Sequence, residues 1–169
     1  VSWARRCVEE KDKGMMKTWV DASYAVHKDM KSHTGGVVSF GIGAVMSKSS
    51  KQKLNVKSST EAELVGVDDV MPMVMWTRYF LQEQGYDVKS DIYQDNMSSM
   101  LLEKNGRASS GERTRHINIR YFFVSDRVKS GEVSIKYCPT DDMTGDYFTK
   151  PLFGMKFLKF RKATLNLQD

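Results

Sequence analysis

Four acidic residues, each in a different local context and spread along most of the chain, constrain the fold more than any other feature of the sequence. They are Asp21, Glu63, Asp95 and Asp146. Apolar or aromatic residues precede Asp21 and Asp95, as expected where a buried strand ends, whereas Glu63 and Asp146 lie near the starts of predicted helices. Carboxylates that converge from four separate elements repel one another unless cations lie between them. The pattern therefore predicts a divalent metal site and favours a metal-dependent phosphodiesterase.

Length and composition are those of one compact enzyme domain. A folded chain of 169 residues buries about 70% of its unfolded surface, so it needs no disulfide or structural metal. The two cysteines form no CxxC motif and the three histidines fit no zinc pattern, which favours an intracellular protein. The net charge of +5 favours a polyanionic partner, although such an excess is often only a matter of solubility. The chain does not begin with Met, which leads us to expect a fragment of a longer protein.

Periodicity predicts elements in the order βββαβααβα. Strands are predicted at 17–24, 36–40, 44–47, 90–94 and 132–137, and helices at 59–84, 96–104, 113–130 and 154–165. The three early strands favour an antiparallel meander. Pro72 predicts a kink or a break near 68–72. A helix that carries Asp146 is expected to be capped by Asp141 or Asp142.

Four short segments, in this order along the chain, resemble the RNase H domain of copia-type LTR retrotransposon polyproteins. They are Ser58–Glu63, Tyr93–Asn96, Arg115–Tyr121 and Asp146–Pro151. The resemblance implies an RNase H-like α/β fold with a mixed five-stranded sheet, in which three antiparallel strands are followed by two parallel ones. It covers residues 17–152 as the catalytic domain, and leaves an N-terminal extension, 1–16, and a C-terminal helical tail, 153–169.

The resemblance also implies a ribonuclease H that cleaves the RNA strand of RNA:DNA hybrids with two Mg²⁺ ions, for which Mn²⁺ can substitute. Asp21 would bridge both ions, Glu63 and Asp95 would hold the ion on the leaving-group side, and Asp146 would help to hold the ion that activates water. Two such ions about 4 Å apart offset the charge of the transition state. A reverse transcriptase domain is the implied neighbour in the parent polyprotein. Many RNase H enzymes carry a histidine in the loop before the last helix, but residues 138–142 contain none.

Five further residues are predicted to contact the nucleic acid. Arg113, Arg115 and Arg120, on the predicted helix 113–130, are suited to bind phosphates. Such contacts give affinity without discrimination between duplexes. Discrimination would come from the 2′-OH groups of the RNA strand, for which Asn96 and Gln52 are the candidate readers. Exposed basic residues are also common on surfaces that bind nothing.

The acidic residues also have structural explanations. Asp21 can be a turn residue, and Asp95 or Asn96 can cap the helix that follows. Either Ser58 with Glu61 or Thr60 with Glu63 completes a capping box, so one of the two glutamates can be purely structural. We expect Ser58 to be the cap, which makes Glu61 structural and leaves Glu63 free to reach a metal.

Three classes of function remain open. The first is a ribonuclease specific for RNA:DNA hybrids. The second is another nucleotidyl-transfer enzyme of the same fold, such as an integrase or a resolvase, and the third is a domesticated hybrid-binding module without catalysis. The presence of all four acids argues against the third class, because a binding module gains nothing from mutually repelling carboxylates.

Overall fold

The computed structural model describes residues 14–105 and 115–167. Within these ranges the strands and α-helices follow the predicted order βββαβααβα. The strands are β1 (Met15–Ser23), β2 (His33–Ser39), β3 (Ala44–Lys51), β4 (Lys89–Gln94) and β5 (Ser134–Tyr137). The helices are α1 (Ser59–Glu83), α2 (Met97–Asn105), α3 (Arg115–Lys129) and α4 (Gly154–Leu165). Two short 3-10 helices, Thr140–Asp142 and Thr144–Phe148, lie between β5 and α4.

The five strands form one mixed sheet in the order β3-β2-β1-β4-β5. Strand β1 is antiparallel to β2, which is antiparallel to β3, whereas β1, β4 and β5 are parallel to one another. This confirms the predicted RNase H-like sheet. Because β1 and β4 are adjacent and parallel, their carboxyl ends lie at the same edge of the sheet. Asp21 near the end of β1 and Asp95 just after β4 are thereby brought to that edge.

The main core lies between the sheet and α1, and its formation explains the long first helix. Apolar side chains on α1, among them Val67, Val70 and Val74, pack with Val20 of β1 and Ile92 of β4. All of these side chains are buried completely. Their spacing on α1 is the helical spacing that the sequence predicted.

Helix α1 runs without interruption through Pro72, so the predicted break is wrong, whereas the alternative, a kink near 68–72, stays a prediction. A proline inside a helix costs about 3 kcal/mol relative to alanine. Burial of Val70, Met71 and Val74 on both sides of the proline offsets this cost. Lys48 of β3 also donates a hydrogen bond to the Asp69 carbonyl oxygen, in the turn before the proline.

Asp146 lies on a 3-10 helix and not on the α-helix that was predicted. Neither Asp141 nor Asp142 caps it: Met143 is the N-cap residue, and no side chain makes a cap hydrogen bond. This 3-10 helix packs closely against the sheet. A Cβ atom at Gly145 would lie 2.9 Å from the Asp21 amide nitrogen, so only glycine lets this segment lie against β1 at that point.

Helix α4 packs back onto the domain. Phe160 is buried, and the Phe157 ring lies 5.5 Å from the Tyr147 ring in the second 3-10 helix. Helix α4, which follows the predicted boundary at 152–153, therefore packs against the predicted catalytic domain. The assignment of 1–16 and 153–169 as segments outside that domain stays a prediction. In the described part of the chain, no helix has the length and apolar character that crossing a membrane requires.

Candidate active site

Three of the four predicted acids converge at the carboxyl edge of the sheet. Asp21 comes from β1, Glu63 from the second turn of α1, and Asp95 from the residue that follows β4. Each offers one carboxylate oxygen, and these three oxygens lie within 4.8 Å of one another. We call these residues the acid triad. Asp21 and Glu63 are buried, whereas Asp95 is partly exposed, so the triad is open to solvent on the Asp95 side.

The start of α1 decides which glutamate joins the triad. Ser58 is the N-cap, and its side chain accepts a hydrogen bond from the Glu61 amide, as predicted. The Glu61 carboxylate folds back to accept from the Lys57 amide at 2.7 Å, one residue earlier than the Ser58 amide of a standard capping box. Glu61 therefore serves the helix end, and Glu63 is left to point at Asp21 and Asp95.

The acid triad carries more negative charge than its surroundings compensate. Burial, and then the charges of Asp21 and Asp95, raise the pKa of Glu63 well above its ordinary value. Burial likewise raises the pKa of Asp21, although Thr149 and Lys150 oppose the shift. The Glu63 Oε2 atom is buried and has no hydrogen-bond partner among the described residues. A buried carboxylate oxygen without a partner, on a residue that lies beside two further carboxylates, fits an oxygen-coordinated cation such as Mg²⁺.

Asp146 lies on the other side of Asp21 and has a different environment. Its Oδ1 atom accepts from Lys150 Nζ at 2.6 Å, and its Oδ2 atom accepts from Lys156 Nζ at 2.7 Å. Burial, the largest single influence, acts to raise the pKa of Asp146, but the hydrogen bonds and charges of the two lysines outweigh it and hold the pKa below its ordinary value. Asp146 is therefore already neutralised by the protein itself.

Asp21 connects the two environments. Its carboxylate accepts a hydrogen bond from the Thr149 hydroxyl group, and Lys150 Nζ lies 3.3 Å from its Oδ2 atom. We call Asp146, Thr149, Lys150 and Lys156 the lysine side of the site. Asp21 thus contacts Thr149 and Lys150 of the lysine side, and it also belongs to the acid triad with Glu63 and Asp95.

Relatives of the chain share its sequence over most of its length. It is 32% identical over 145 residues to the retrovirus-related Pol polyprotein from transposon TNT 1-94 of Nicotiana tabacum, an alignment that covers 85% of the chain. It is 34% identical over 148 residues to the Pol polyprotein from transposon RE1 of Arabidopsis thaliana, which covers 86% of the chain. The homologues of this chain are copia-type retrotransposon Pol polyproteins. The chain spans only 11% and 10% of the lengths of these two relatives. No protein-family model matches it.

Solved structures agree with the fold. The N-terminal RNase H domain of a Mycobacterium tuberculosis protein matches with a TM-score of 0.54 over 80% of this chain and 90% of that chain, at 8% identity. LC11-RNase H1, isolated from compost, matches with a TM-score of 0.52 over 76% of this chain and 86% of that chain, at 9% identity. At such low identity these matches show the fold alone. The RNase H-like fold predicted for this Pol-related chain is thereby confirmed.

The structure gives the two predicted readers of the 2′-OH groups other contacts. Asn96 caps α2, because its Oδ1 atom accepts from the Ser99 amide at 3.0 Å. Gln52 is 1% exposed, and its amide nitrogen donates to the Thr34 hydroxyl group and to the Ala62 carbonyl oxygen. A side chain buried in this way cannot touch a nucleic acid, so the prediction for Gln52 is corrected: it links the end of β3 to α1. Asn96 stays a candidate, because a capping residue next to Asp95 lies at the site.

The structure describes side-chain contacts for one of the three arginines that were predicted to bind phosphates. Arg120 forms an ion pair with Asp68 and lies 3.4 Å from an Asp69 oxygen, so it ties α3 to α1. This intramolecular pairing is the structural alternative to the predicted phosphate contact. Arg113 lies outside the described residues, and of Arg115 only the backbone is described, at the start of α3. Their phosphate contacts stay predictions.

Sequence reasoning missed the contacts that neutralise Asp146. Asp146 and Lys150 are four residues apart, a spacing at which opposite charges often pair on one helical face, so this contact had a local signal. The contact between Lys156 and Asp146 had no local signal, because these residues are ten positions apart, on either side of Pro151. Lys156 reaches Asp146 only through the packing of α4.

Proposed function

We propose that this chain is a metal-dependent ribonuclease H that hydrolyses the RNA strand of RNA:DNA hybrids. The observation that carries the proposal is the acid triad, three carboxylates from separate elements, with one buried oxygen that has no hydrogen-bond partner within residues 14–105 and 115–167. A structural role does not explain Glu63, since the cap of α1 is formed by Ser58 and Glu61. It does not explain Asp95 either, because Asn96 is the residue that caps α2.

Asp21, Glu63 and Asp95 would hold Mg²⁺, or Mn²⁺ in its place, and Asp146 would join them when a second ion binds. Such ions supply Lewis-acid stabilisation of a phosphoryl oxygen and lower the pKa of a bound water. The residues of the protein contribute position and charge. Asp21, fixed by Thr149 and by its place in β1, presents its carboxylate between the two halves of the site. The Thr140 hydroxyl group donates a hydrogen bond of 2.9 Å to Asp95, which would help to fix the orientation of that carboxylate within the triad.

The substrate proposal follows from charge and from the family. A net charge of +5 is suited to a polyanion, and the Pol polyproteins that the chain resembles belong to elements that copy RNA into DNA. We therefore take an RNA:DNA hybrid as the substrate and a reverse transcriptase domain as the neighbour in a parent polyprotein. One of the fold matches, LC11-RNase H1 at 8% identity and a TM-score of 0.51, was solved in complex with an RNA/DNA hybrid.

A cleavage assay on three duplexes of one sequence tests the proposal. We expect cleavage of the RNA strand of the hybrid in Mg²⁺ or Mn²⁺, and none of double-stranded RNA or DNA. Ca²⁺ should support cleavage poorly, because its looser coordination misplaces the water. Cleavage of DNA would favour another nucleotidyl-transfer enzyme of the fold. Hybrid binding without cleavage would favour a non-catalytic module, and full cleavage in excess EDTA would exclude the metal mechanism.

A further inference from the structure

We propose that Lys150 is a built-in competitor for the second metal ion: it fills the gap between Asp21 and Asp146, so that the free protein binds one divalent cation at the acid triad. A second cation then binds only when Lys150 moves away. The inference rests on the proposed function, because it concerns the metal ions of the same site.

The position of the Lys150 ammonium group carries the inference. Its Nζ atom lies 2.6 Å from Asp146 Oδ1, and 3.4 Å and 3.3 Å from the two Asp21 oxygens. A Mg²⁺ ion shared by Asp21 and Asp146 would approach both carboxylates to about 2.1 Å. The ammonium group and that ion would therefore need the same space between the same two carboxylates.

The charges around the site lead to the same conclusion. The triad and Asp146 carry four negative charges when ionised, and Lys150 and Lys156 carry two positive charges in direct contact with them. The remaining excess of two negative charges is what one divalent cation neutralises. A second divalent cation, added while both lysines stay, would leave the site with a positive excess before any substrate arrives.

The burial of the two carboxylates explains why this competition matters. Asp21 is 2% exposed and Asp146 is 1% exposed, so bulk water solvates their charges poorly, and each needs a cation in direct contact. Lys150, in contrast, has a side chain that is 40% exposed. It can therefore swing into solvent when a stronger cation takes its place, whereas the carboxylates are fixed by β1 and by the 3-10 helix.

Lys156 has a different position and is not predicted to compete. It contacts the outer Asp146 oxygen, Oδ2, and among the described contacts it makes no ion pair with Asp21. A cation in the position of Lys150 Nζ, which contacts both Asp21 and Asp146, would instead approach the other oxygen, Oδ1. The two lysines, which both neutralise Asp146, thus differ in whether they occupy the bridging position.

Mn²⁺ binding in the absence of nucleic acid tests the proposal, with electron paramagnetic resonance of free Mn²⁺ and titration calorimetry as the measurements. Wild-type protein should bind one Mn²⁺ per chain tightly and a second only weakly. Lys150→Met should bind the second ion about tenfold more tightly or better, because the competing charge is gone. Lys159→Met is the matched control: Lys159 lies on the same helix as Lys156 but pairs with Asp142, and this variant should behave as wild type.

Several outcomes would overturn the proposal. They are two equally tight Mn²⁺ sites in the wild type, a single site in Lys150→Met, and the same gain in Lys159→Met as in Lys150→Met. If Lys150→Met does not fold by circular dichroism, Lys150→Gln, which keeps a hydrogen-bond donor for Asp146, replaces it in the same titration. The cleavage assay is independent of this result. If Mn²⁺ binds as predicted but the protein does not cleave the hybrid, only the proposed function is refuted. If the protein cleaves the hybrid but Lys150→Met binds Mn²⁺ as wild type does, only the role of Lys150 is refuted.

Discussion

The acid triad and the lysine side share Asp21 but differ in how their charge is balanced. On one side, Glu63 has a raised pKa and an oxygen without a partner among the described residues. On the other, both oxygens of Asp146 are bonded to lysines and its pKa is lowered. The burial of Glu63 and Asp146 is similar, at 5% and 1% exposed. Burial alone therefore does not decide which carboxylate needs an external cation, and the ion pairs within the chain do.

This difference predicts that Glu63 and Asp146, which were both predicted as metal ligands, behave in opposite ways. The ionised carboxylate of Glu63 should destabilise the metal-free fold and should stabilise the fold only when a cation binds. Asp146 should stabilise the fold even without metal, because its partners belong to the protein. Each of the following experiments tests one part of this contrast.

The largest effect is expected from Glu63→Gln in the cleavage assay. We predict a loss of hybrid cleavage by more than about 100-fold, because even the loss of a group that only orients a metal ligand costs about 10–100-fold. The matched control is Glu61→Gln, two residues away on the same helix. Its side chain bonds the Lys57 amide and not the triad, and an amide oxygen can still accept that bond, so most activity should remain. An inactive Glu61→Gln beside an active Glu63→Gln would show that the wrong glutamate has been assigned to the site.

A smaller effect, with opposite signs in the two regions, is expected for stability in metal-free buffer. Glu63→Gln should raise the free energy of unfolding, because it removes a carboxylate that burial and two acidic neighbours disfavour. Asp146→Asn should lower it by about 1–3 kcal/mol, less than for a fully buried pair because the lysine side chains are 40% and 33% exposed. Denaturant unfolding with EDTA measures both changes, and the same sign for both would contradict the contrast.

Added Mg²⁺ extends the stability experiment. At about 100 times its dissociation constant, a cation that binds only the folded state stabilises it by about 2.7 kcal/mol. We expect this stabilisation for Asp146→Asn, whose triad is intact, and little of it for Glu63→Gln. If Asp146→Asn also loses the response, then Asp146 contributes to the first cation site and the division between the two regions is wrong.

The elements and the choice of Glu63 could be predicted from local patterns, whereas the sheet topology and the convergence of the acids were predicted from the resemblance to a known family. Alternating and helical periodicity indicated the elements, and the Ser58 cap fixed the direction of Glu63 from residues within one turn. The parallel pairing of β1 and β4 then brings Asp21 and Asp95 together at one edge. That pairing joins residues more than 70 positions apart, and it was predicted only through the resemblance of the four short segments to a known family.

The rest of the site depends on tertiary contacts that have no local pattern. The 3-10 helix of Asp146 lies against β1 at Gly145, and the second lysine that contacts Asp146 belongs to α4. Gln52 follows β3 in a polar stretch that predicts a surface position, yet the backbone of α1 and the Thr34 hydroxyl group take its amide into the interior. Such contacts follow from how elements pack, and the sequence pattern of each element alone does not contain them.

The smallest predicted effect concerns pH and the attachment of the lysine side to the sheet. His27 Nε2 and His33 Nδ1 are 3.0 Å apart, His33 Nε2 is 2.9 Å from the Ser49 hydroxyl group, and Ser49 donates to the Phe148 carbonyl oxygen, two residues after Asp146. Burial, and then the neighbouring His27, lower the pKa of His33 below its ordinary value of 6.5. The folded state therefore binds fewer protons than the unfolded state below pH 6.5, and stability contributed by neutral His33 is lost as pH falls through this window.

Because His33 is largely solvated, we expect this loss to be less than about 1 kcal/mol. The measurement is the free energy of unfolding at several pH values from about 7.5 to about 5 for wild type and His33→Asn, in EDTA, where the only intended difference is this ring. The wild-type curve should fall more steeply than the variant curve below pH 6.5, since the asparagine side chain of the variant does not titrate. Glu63, with its raised pKa, has the opposite dependence and gains stability as pH falls, but it contributes equally to both curves and cancels in their difference. If the wild-type and variant curves have the same slope below pH 6.5, then neutral His33 does not stabilise the contact between the sheet and the segment that carries Asp146.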